Sequence, residues 1–116
     1  MNEYEERFIL AAKAHGSATR EGDSRKTNRA YDSAVSAIKK IRMEPDRGAR
    51  FLLEQLRSED LSVVAWAASY LLPLEEGEEE AVLALQRVSR EKDDPLISFG
   101  AETILKEWQA GRLSIE

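Results

Sequence analysis

The sequence of 116 residues has no cysteine, one histidine and no long apolar run. Without cysteine the chain forms no disulfide, thiolate metal site or thiol nucleophile, and one histidine is too few for a typical zinc site. No stretch approaches the roughly 20 apolar residues that cross a bilayer. The first residues, Met1 to Arg7, are acidic and lack the basic start of a signal peptide. We therefore expect a cytoplasmic protein without cofactor, bound metal or membrane contact.

Groups that could carry catalysis are equally few. A serine or cysteine nucleophile needs a base beside it, and the one histidine, His15, is predicted near the end of the first helix on its apolar side. A histidine there interacts favourably with the helix dipole, which indicates a structural role. The six glycines are scattered and form no phosphate-binding loop. We predict that the protein is not an enzyme and has no catalytic residue.

The charge is distributed unevenly along the chain. Residues 13–57 carry eleven bases and six acids, whereas residues 58–116 carry five bases and thirteen acids. The densest acidic stretch contains the five glutamates Glu75, Glu76, Glu78, Glu79 and Glu80. It lacks the alternating ligand spacing of a calcium loop. Two interpretations stay open: a solvated loop before a helix N-terminus, where acids are favoured, or an acidic patch that steers a basic partner.

Basic residues give the predicted second helix a positively charged side. They are Arg20, Arg25, Lys26, Arg29, Lys39, Lys40 and Arg42. Phosphate binding favours a domain that is basic overall, whereas this chain has a net charge of −5 and an isoelectric point near 5.0. Nucleic acid is therefore the less favoured partner.

Hydrophobic spacing predicts six helices and no strand. Alanine, leucine, glutamate, lysine and arginine dominate, and no segment alternates between apolar and polar residues. Short connections between the helices predict a single all-α domain over residues 1–116, with helical hairpins at 1–44, 45–73 and 77–111. The predicted buried faces include Tyr31 on the second helix and Trp108 on the sixth.

Glycine, aspartate and proline mark the predicted helix ends. The first helix is expected to end at Gly16 or Gly22, and Asp23 or Ser24 to cap the second. Asp60 is expected to open the fourth helix, and Pro95 lies at the start of the sixth. The tail residue Leu113 or Ile115 is expected to fold back as the apolar contact of a glycine cap.

The third and fourth helices repeat in the fifth and sixth. The fourth aligns with the sixth at an offset of 33 residues, whereas Leu53 and Leu56 of the third align with Leu85 and Val88 of the fifth at an offset of 32. The pattern Asp60, Val63, Val64, Ala67, Ala68, Leu71 is matched by Asp93, Leu96, Ile97, Gly100, Ala101, Ile104, and Trp66 is matched by Phe99. An aspartate cap, a branched residue, two small residues and a large aliphatic residue suit a stacked helical hairpin. This spacing resembles HEAT and related α-solenoid repeats, so we expect a short HEAT-like solenoid of about three hairpins.

The chain also resembles the bacterial family catalogued as domain of unknown function twenty-nineteen. The matching segments are Glu21-Gly22-Asp23, Asn28 to Asp32, Gly48-Ala49, Leu52-Leu53, Ala67-Ala68, Leu71-Leu72-Pro73, Gly100-Ala101 and Trp108-x-x-Gly111. The resemblance covers nearly the whole chain and implies a short HEAT-like helical array. That family has no established activity and supplies no catalytic residue. Some short helical-repeat proteins of this kind look like immunity proteins encoded beside bacterial toxins.

The second helices of stacked hairpins commonly line the face that binds partners. On the fourth helix Val63, Ala67 and Leu71 are expected to point inward, which places Ser62 on the opposite side. The predicted partner-binding residues are Trp66, Ser69, Tyr70, Glu75, Glu76, Glu78, Glu79, Glu80 and Glu102. Trp66 and Phe99 are alternatively interpreted as filling the seam between repeats. Tyr70 has no aromatic counterpart, which favours it as an interface anchor.

These observations predict a non-catalytic protein-binding module that acts by occlusion, in the manner of an immunity-type inhibitor of a bacterial toxin. The acidic C-terminal half would complement a basic toxin site. The alternatives are a structural adaptor that joins two proteins and, less favoured, a helical repeat that binds nucleic acid. The expected oligomeric state is a monomer or a weak homodimer.

Overall fold

The computed structural model describes residues 1–113, which form six α-helices and no strand. The helices are α1 (Glu3–Glu21), α2 (Ser24–Ile41), α3 (Pro45–Gln55), α4 (Leu61–Leu71), α5 (Glu78–Ser89) and α6 (Pro95–Gln109). The all-α prediction and the predicted number of helices are therefore confirmed over this range. Ile115, one of the two residues expected to fold back, lies outside the described residues, whereas Leu113 packs against the core.

The caps explain where the helices begin and end. Asp23 and Asp60 cap α2 and α4, each accepting hydrogen bonds from backbone N–H groups of the first turn. Gly22 ends α1 in the left-handed conformation with φ 72°, which glycine adopts without steric cost. Of the two glycines expected to end α1, Gly16 does not: it lies inside the helix and is buried.

The repeat is displaced by one residue from its predicted alignment. Asp94, not Asp93, occupies the N-cap position of α6, and Pro95 is its first helical residue. The side chain of Asp94 makes no capping hydrogen bond and pairs instead with Arg20 of α1. By sequence, either aspartate is suited to cap α6. Only the geometry of the preceding turn determines which of the two occupies the N-cap position.

α4 lies at the centre of the core. It contacts α1, α3, α5 and α6, and its apolar side chains are buried on more than one face because neighbours cover it from several directions. They are Val63, Val64, Ala67, Ala68 and Leu71, followed by Leu72 at the C-cap. Each large side chain buried in this way contributes about 1.5–3 kcal/mol of hydrophobic stabilisation.

The helices pack as the pairs α1–α2, α3–α4 and α5–α6, with a further contact between α4 and α5. The first pair joins the rest mainly through α1, which packs on α4. The molecule measures 34 × 29 × 26 Å, so three pairs do not extend it far in any one direction. This packing suits a small helical-repeat protein, and a regular solenoid stays a prediction.

Two ion pairs tie α1 to distant parts of the chain. The Arg47 guanidinium of α3 donates two hydrogen bonds to the buried Glu5 carboxylate, at 3.0 and 3.3 Å. At the other end of α1, Arg20 donates to Asp94 Oδ2 at 2.7 and 3.0 Å. These contacts fix both ends of α1 across the core.

Candidate functional site: an aromatic pocket

α1, α2, α4 and α6 enclose an apolar pocket of about 320 Å³, together with Leu113 from the C-terminal segment. That volume falls in the range of small-ligand sites, roughly 300–1,000 Å³. The lining residues are His15, Thr19, Tyr31, Ser62, Ala65, Trp66, Ser69, Tyr70, Leu96, Ile97, Gly100, Ala101, Ile104 and Leu113. None of these residues is an acid, a lysine or an arginine.

Trp66 connects the aromatic side chains of the pocket. The centroid of its ring lies 5.2 Å from that of His15 in an edge-on arrangement, and 5.6 Å from that of Tyr31. Tyr70 stacks on it with centroids 6.3 Å apart and ring planes inclined by 19°. On the far side, Phe8 of the core meets Trp66 edge-on at 6.3 Å. Aromatic pairs at these distances and angles are attractive, so the pocket wall is held by ring contacts from three helices.

Polar groups in the wall differ in whether they are satisfied. Thr19 donates its hydroxyl to the carbonyl of His15, and Ser69 donates to that of Ala65. Ser62 is 2% exposed, and its hydroxyl oxygen finds no hydrogen-bond partner in the described part of the chain. A buried hydroxyl left unpaired costs about 1–3 kcal/mol. Among the wall residues, Ser62 is therefore the one with a buried hydroxyl that has no hydrogen-bond partner within residues 1–113.

His15 differs from its predicted setting. It lies well inside α1, which continues to Glu21, so the expected interaction with the helix C-terminus is wrong. Burial lowers the pKa of His15 below its ordinary value, because an uncharged wall disfavours the imidazolium ion. The ring is therefore neutral at pH 7 and has one nitrogen to donate and one to accept a hydrogen bond.

Exposed apolar side chains border the pocket. Tyr31 is 46% exposed and Leu96 is 53% exposed, although both line it. Phe99, next to the lining residue Gly100, is 69% exposed. The prediction that Tyr31 is buried is thus wrong, and Phe99 does not fill a seam between repeats. Exposed apolar groups in the wall of a concavity, such as Tyr31 and Leu96, are typical of binding surfaces.

Buried and exposed sides of α4 and α6 also depart from the predicted pattern. Tyr70 is only 9% exposed and its ring lines the pocket beside Trp66, so its role as an interface anchor stays a prediction. Ser62 is buried and not exposed, since α1 covers it. On α6 Leu105 is buried, whereas Trp108 is half-buried.

The predicted partner-binding residues fall into three groups. Trp66, Ser69 and Tyr70 line the pocket. The five glutamates of residues 75–80 are exposed and lie in the turn before α5 and in its first helical turn. Glu102 is exposed on α6, where it pairs with Lys106 at 2.8 Å. The structure therefore brings three of the predicted residues together in the pocket, and neither the glutamates nor Glu102 is part of its wall.

Several pocket residues were not predicted as a site, and one sequence signal points to them. Gly100 lies inside α6, where glycine is unfavourable by about 1 kcal/mol relative to alanine. A Cβ added to Gly100 meets no atom within 4 Å. A glycine inside an amphipathic helix can thus indicate open space beside the helix. No such signal shows that His15, Tyr31 and Trp66 lie together, because their proximity depends on how α1, α2 and α4 pack.

Among residues 1–113 no three histidine, cysteine, aspartate or glutamate side chains are grouped so that they could hold a metal ion. Within that range no helix is both long and apolar enough to cross a membrane. No family model, curated protein or solved structure matches the chain.

Proposed function

We propose that the protein is a non-catalytic protein-binding module and that its aromatic pocket receives a side chain of the partner. The observation that carries this proposal is the exposure of Tyr31 and Leu96 in the wall of a concavity that Trp66 and Tyr70 also line. Aromatic residues in well-packed pockets dominate the energy of many protein interfaces. Binding a partner would remove these apolar side chains from water, which favours association by about 25 cal/mol per Å² of apolar surface.

In the more specific form of the proposal, the protein is an immunity-type inhibitor that covers the active surface of a bacterial toxin. The exposed glutamates of residues 75–80 support it, since an acidic segment would complement a basic site on such a toxin. The HEAT-like spacing and the resemblance to the family catalogued as domain of unknown function twenty-nineteen are consistent with a small binding protein. The HEAT-like fold and the family membership both stay proposals.

The first experiment compares partner capture by the wild-type chain and two surface variants. Leu96→Ser changes the border of the pocket, whereas Leu83→Ser makes the same replacement at an exposed site on α5 that is not part of the pocket. We expect Leu96→Ser to lose at least about tenfold in affinity for the captured partner, equivalent to about 1.4 kcal/mol. Equal loss in both variants, or in neither, would contradict the use of the pocket.

A growth assay then separates an inhibitor from an adaptor. The captured partner is expressed in bacteria alone, with the wild-type chain, or with Leu96→Ser. An inhibitor restores growth that the partner alone prevents, and the Leu96→Ser variant restores it less. An adaptor leaves growth unaffected and binds two different proteins at once, which native mass spectrometry detects as a ternary complex.

A further inference from the structure

We infer that the aromatic pocket recognises an uncharged aromatic ring with one hydrogen-bonding group, and that the ring belongs to a tyrosine or tryptophan side chain of the partner. This inference rests on the proposed function for the source of the ring. Its chemical part, the kind of group that enters the pocket, depends only on residues 1–113.

The charge of the group follows from the wall. The described lining contains no acid, lysine or arginine, and His15 is its one titratable group besides the tyrosines Tyr31 and Tyr70. A charge that enters such a site loses hydration and gains no counter-ion, which costs several kcal/mol. A neutral group avoids that cost, so a carboxylate or an ammonium ion is disfavoured.

The shape of the group follows from the volume and the ring contacts. A dry cavity of about 150 Å³ accommodates benzene, and this pocket offers about 320 Å³. A phenol or an indole therefore fits with space left for the carbon that joins it to a backbone. Trp66 already has edge-on and stacked neighbours at 5.2–6.3 Å, so a further ring can add to the same set of contacts.

The hydrogen-bonding group follows from His15, which lines the pocket and is half-buried. Its neutral ring can donate one hydrogen bond and accept another. A phenolic hydroxyl or an indole N–H that reaches this ring can pair with it, whereas a purely aliphatic side chain cannot. The Ser62 hydroxyl is buried against Gly16 where α1 and α4 cross, so it is not the group that the ring meets.

The test uses side-chain analogues with the intact chain. The probes are p-cresol and 3-methylindole for tyrosine and tryptophan, toluene as the ring without a polar group, and p-toluate as the charged ring. Binding is followed by chemical-shift changes of backbone amides in NMR titrations. We expect p-cresol and 3-methylindole to bind at the residues that line the pocket, at least about tenfold more tightly than p-toluate. Shifts centred elsewhere, or comparable binding of p-toluate, would overturn the inference.

His15→Phe tests the hydrogen bond. The variant is expected to weaken p-cresol binding about three- to tenfold and to leave toluene binding close to unchanged, because only p-cresol has a hydroxyl to pair. Ser62→Ala is the control: its hydroxyl is buried against α1, so the variant should leave both affinities unchanged. If His15→Phe does not alter the ratio of the p-cresol and toluene affinities, the pocket does not recognise a polar group and that part of the inference is wrong.

Gly100→Leu is the variant expected to fill the pocket, because Gly100 is one of its lining residues. A Cβ at Gly100 meets nothing within 4 Å, and leucine is a better helix former than glycine. Gln109→Leu is the matched control, because it adds the same side chain to an exposed position on α6 outside the pocket. We expect Gly100→Leu to abolish the p-cresol shifts and Gln109→Leu to retain them. Retained binding in Gly100→Leu would place the probe outside the pocket.

The same two variants separate this inference from the proposed function. If Gly100→Leu binds neither p-cresol nor the captured partner, the partner supplies the ring. If it no longer binds p-cresol but still binds the partner, the pocket serves a free aromatic molecule, and the assignment of the ring to a partner side chain is wrong. If p-cresol never binds while Leu96→Ser still weakens the partner, the proposed function stands and the inference about the pocket fails.

Discussion

A Cβ added to Gly16 of α1 would lie 2.7 Å from the Cβ of Ser62 on α4 and would overlap its hydroxyl oxygen. The two helices therefore cross at a point where α1 has no room for a side chain. This contact explains why a glycine persists inside α1 although it disfavours the helix. It also places His15 and Ser62 in one wall, so the geometry of the pocket depends on this crossing.

Gly16→Ala should lower the free energy of unfolding by about 1–3 kcal/mol, because the added carbon forces α1 and α4 apart. The loss is expected even though alanine favours a helix by about 1 kcal/mol over glycine. Urea denaturation followed by circular dichroism measures it. Gly100→Ala makes the same change where there is open space and should instead raise stability by about 0.5–1 kcal/mol.

Changes of the same sign in both glycine variants would contradict the steric explanation, because helix propensity alone treats the two positions alike. A second substitution provides a further check. Ser62→Gly removes the atoms that clash with an alanine at position 16, so the double variant should recover part of the loss. The expected coupling energy is about 0.5–3 kcal/mol, as for residues in direct contact.

Ser62→Ala should raise the free energy of unfolding by about 0.5–1 kcal/mol, because it removes a buried hydroxyl that has no partner in the described residues. Ser98→Ala makes the same chemical change with the opposite expectation. The Ser98 hydroxyl donates to the carbonyl of Ser89 at 2.6 Å and links α6 to α5. Its loss should lower stability by about 1 kcal/mol. Thermal unfolding of the two variants side by side measures the difference, and a destabilised Ser62→Ala would contradict the prediction.

Glu5 should make stability depend on pH in the acid range. The side-chain hydrogen bonds from Arg47 are the largest cause that lowers the pKa of Glu5 from its ordinary value of 4.5. The pKa of Glu5 is lower in the folded state than in the unfolded state. The ionised carboxylate therefore stabilises the protein at pH values above its ordinary pKa. That contribution is lost as the pH falls through the lowered pKa.

Glu5→Gln should therefore cost about 1–2 kcal/mol at neutral pH, where the charge-assisted hydrogen bonds from Arg47 are lost. The capping box with Asn2 is retained, because the glutamine amide oxygen can still accept from the Asn2 N–H. The substitution should cost progressively less as the pH falls from about 6 to about 3. Chemical denaturation at a series of pH values gives both curves. Glu79→Gln, at an exposed position on α5, is the control and should leave the curve close to that of the wild type. Parallel curves for Glu5→Gln and the wild type would contradict the assignment.

Much of the fold could be predicted because the signals are local. Asp23 and Asp60 cap their helices through backbone groups only two or three residues away, and Gly22 needs only its own backbone freedom. The side of a helix that is buried is less local. Tyr31 follows the apolar spacing of α2, yet it is 46% exposed, because it lines the pocket and is not covered by another helix on that side.

The pocket could be predicted only in part for the same reason. Trp66, Ser69 and Tyr70 lie on one helix, and the 3–4 residue spacing that groups them is visible in the sequence. His15 and Tyr31 come to the same wall from α1 and α2, at positions set by how α1 packs on both α2 and α4. One periodic pattern cannot show an angle between two helices, so these residues required the structure.

The exposed glutamates of α5 should set the rate at which the partner associates, if the partner is basic as proposed. Glu79→Lys combined with Glu80→Lys should slow association about tenfold at low ionic strength, since steering acts through the summed charge of a surface. Stopped-flow or surface plasmon resonance measurements with the captured partner give the rate. The effect should nearly vanish at about 1 M salt, where the screening length falls to about 3 Å.

The matched control is Glu3→Lys combined with Glu6→Lys. It makes the same change in net charge, also at exposed positions in the first turn of a helix, but on α1. Equal slowing by the two pairs would mean that net charge alone steers the partner, and the acidic segment would then have no particular role. Slowing confined to the α5 pair, with dissociation unchanged, places the segment at the border of the interface, because charges there alter the association rate more than the lifetime of the complex.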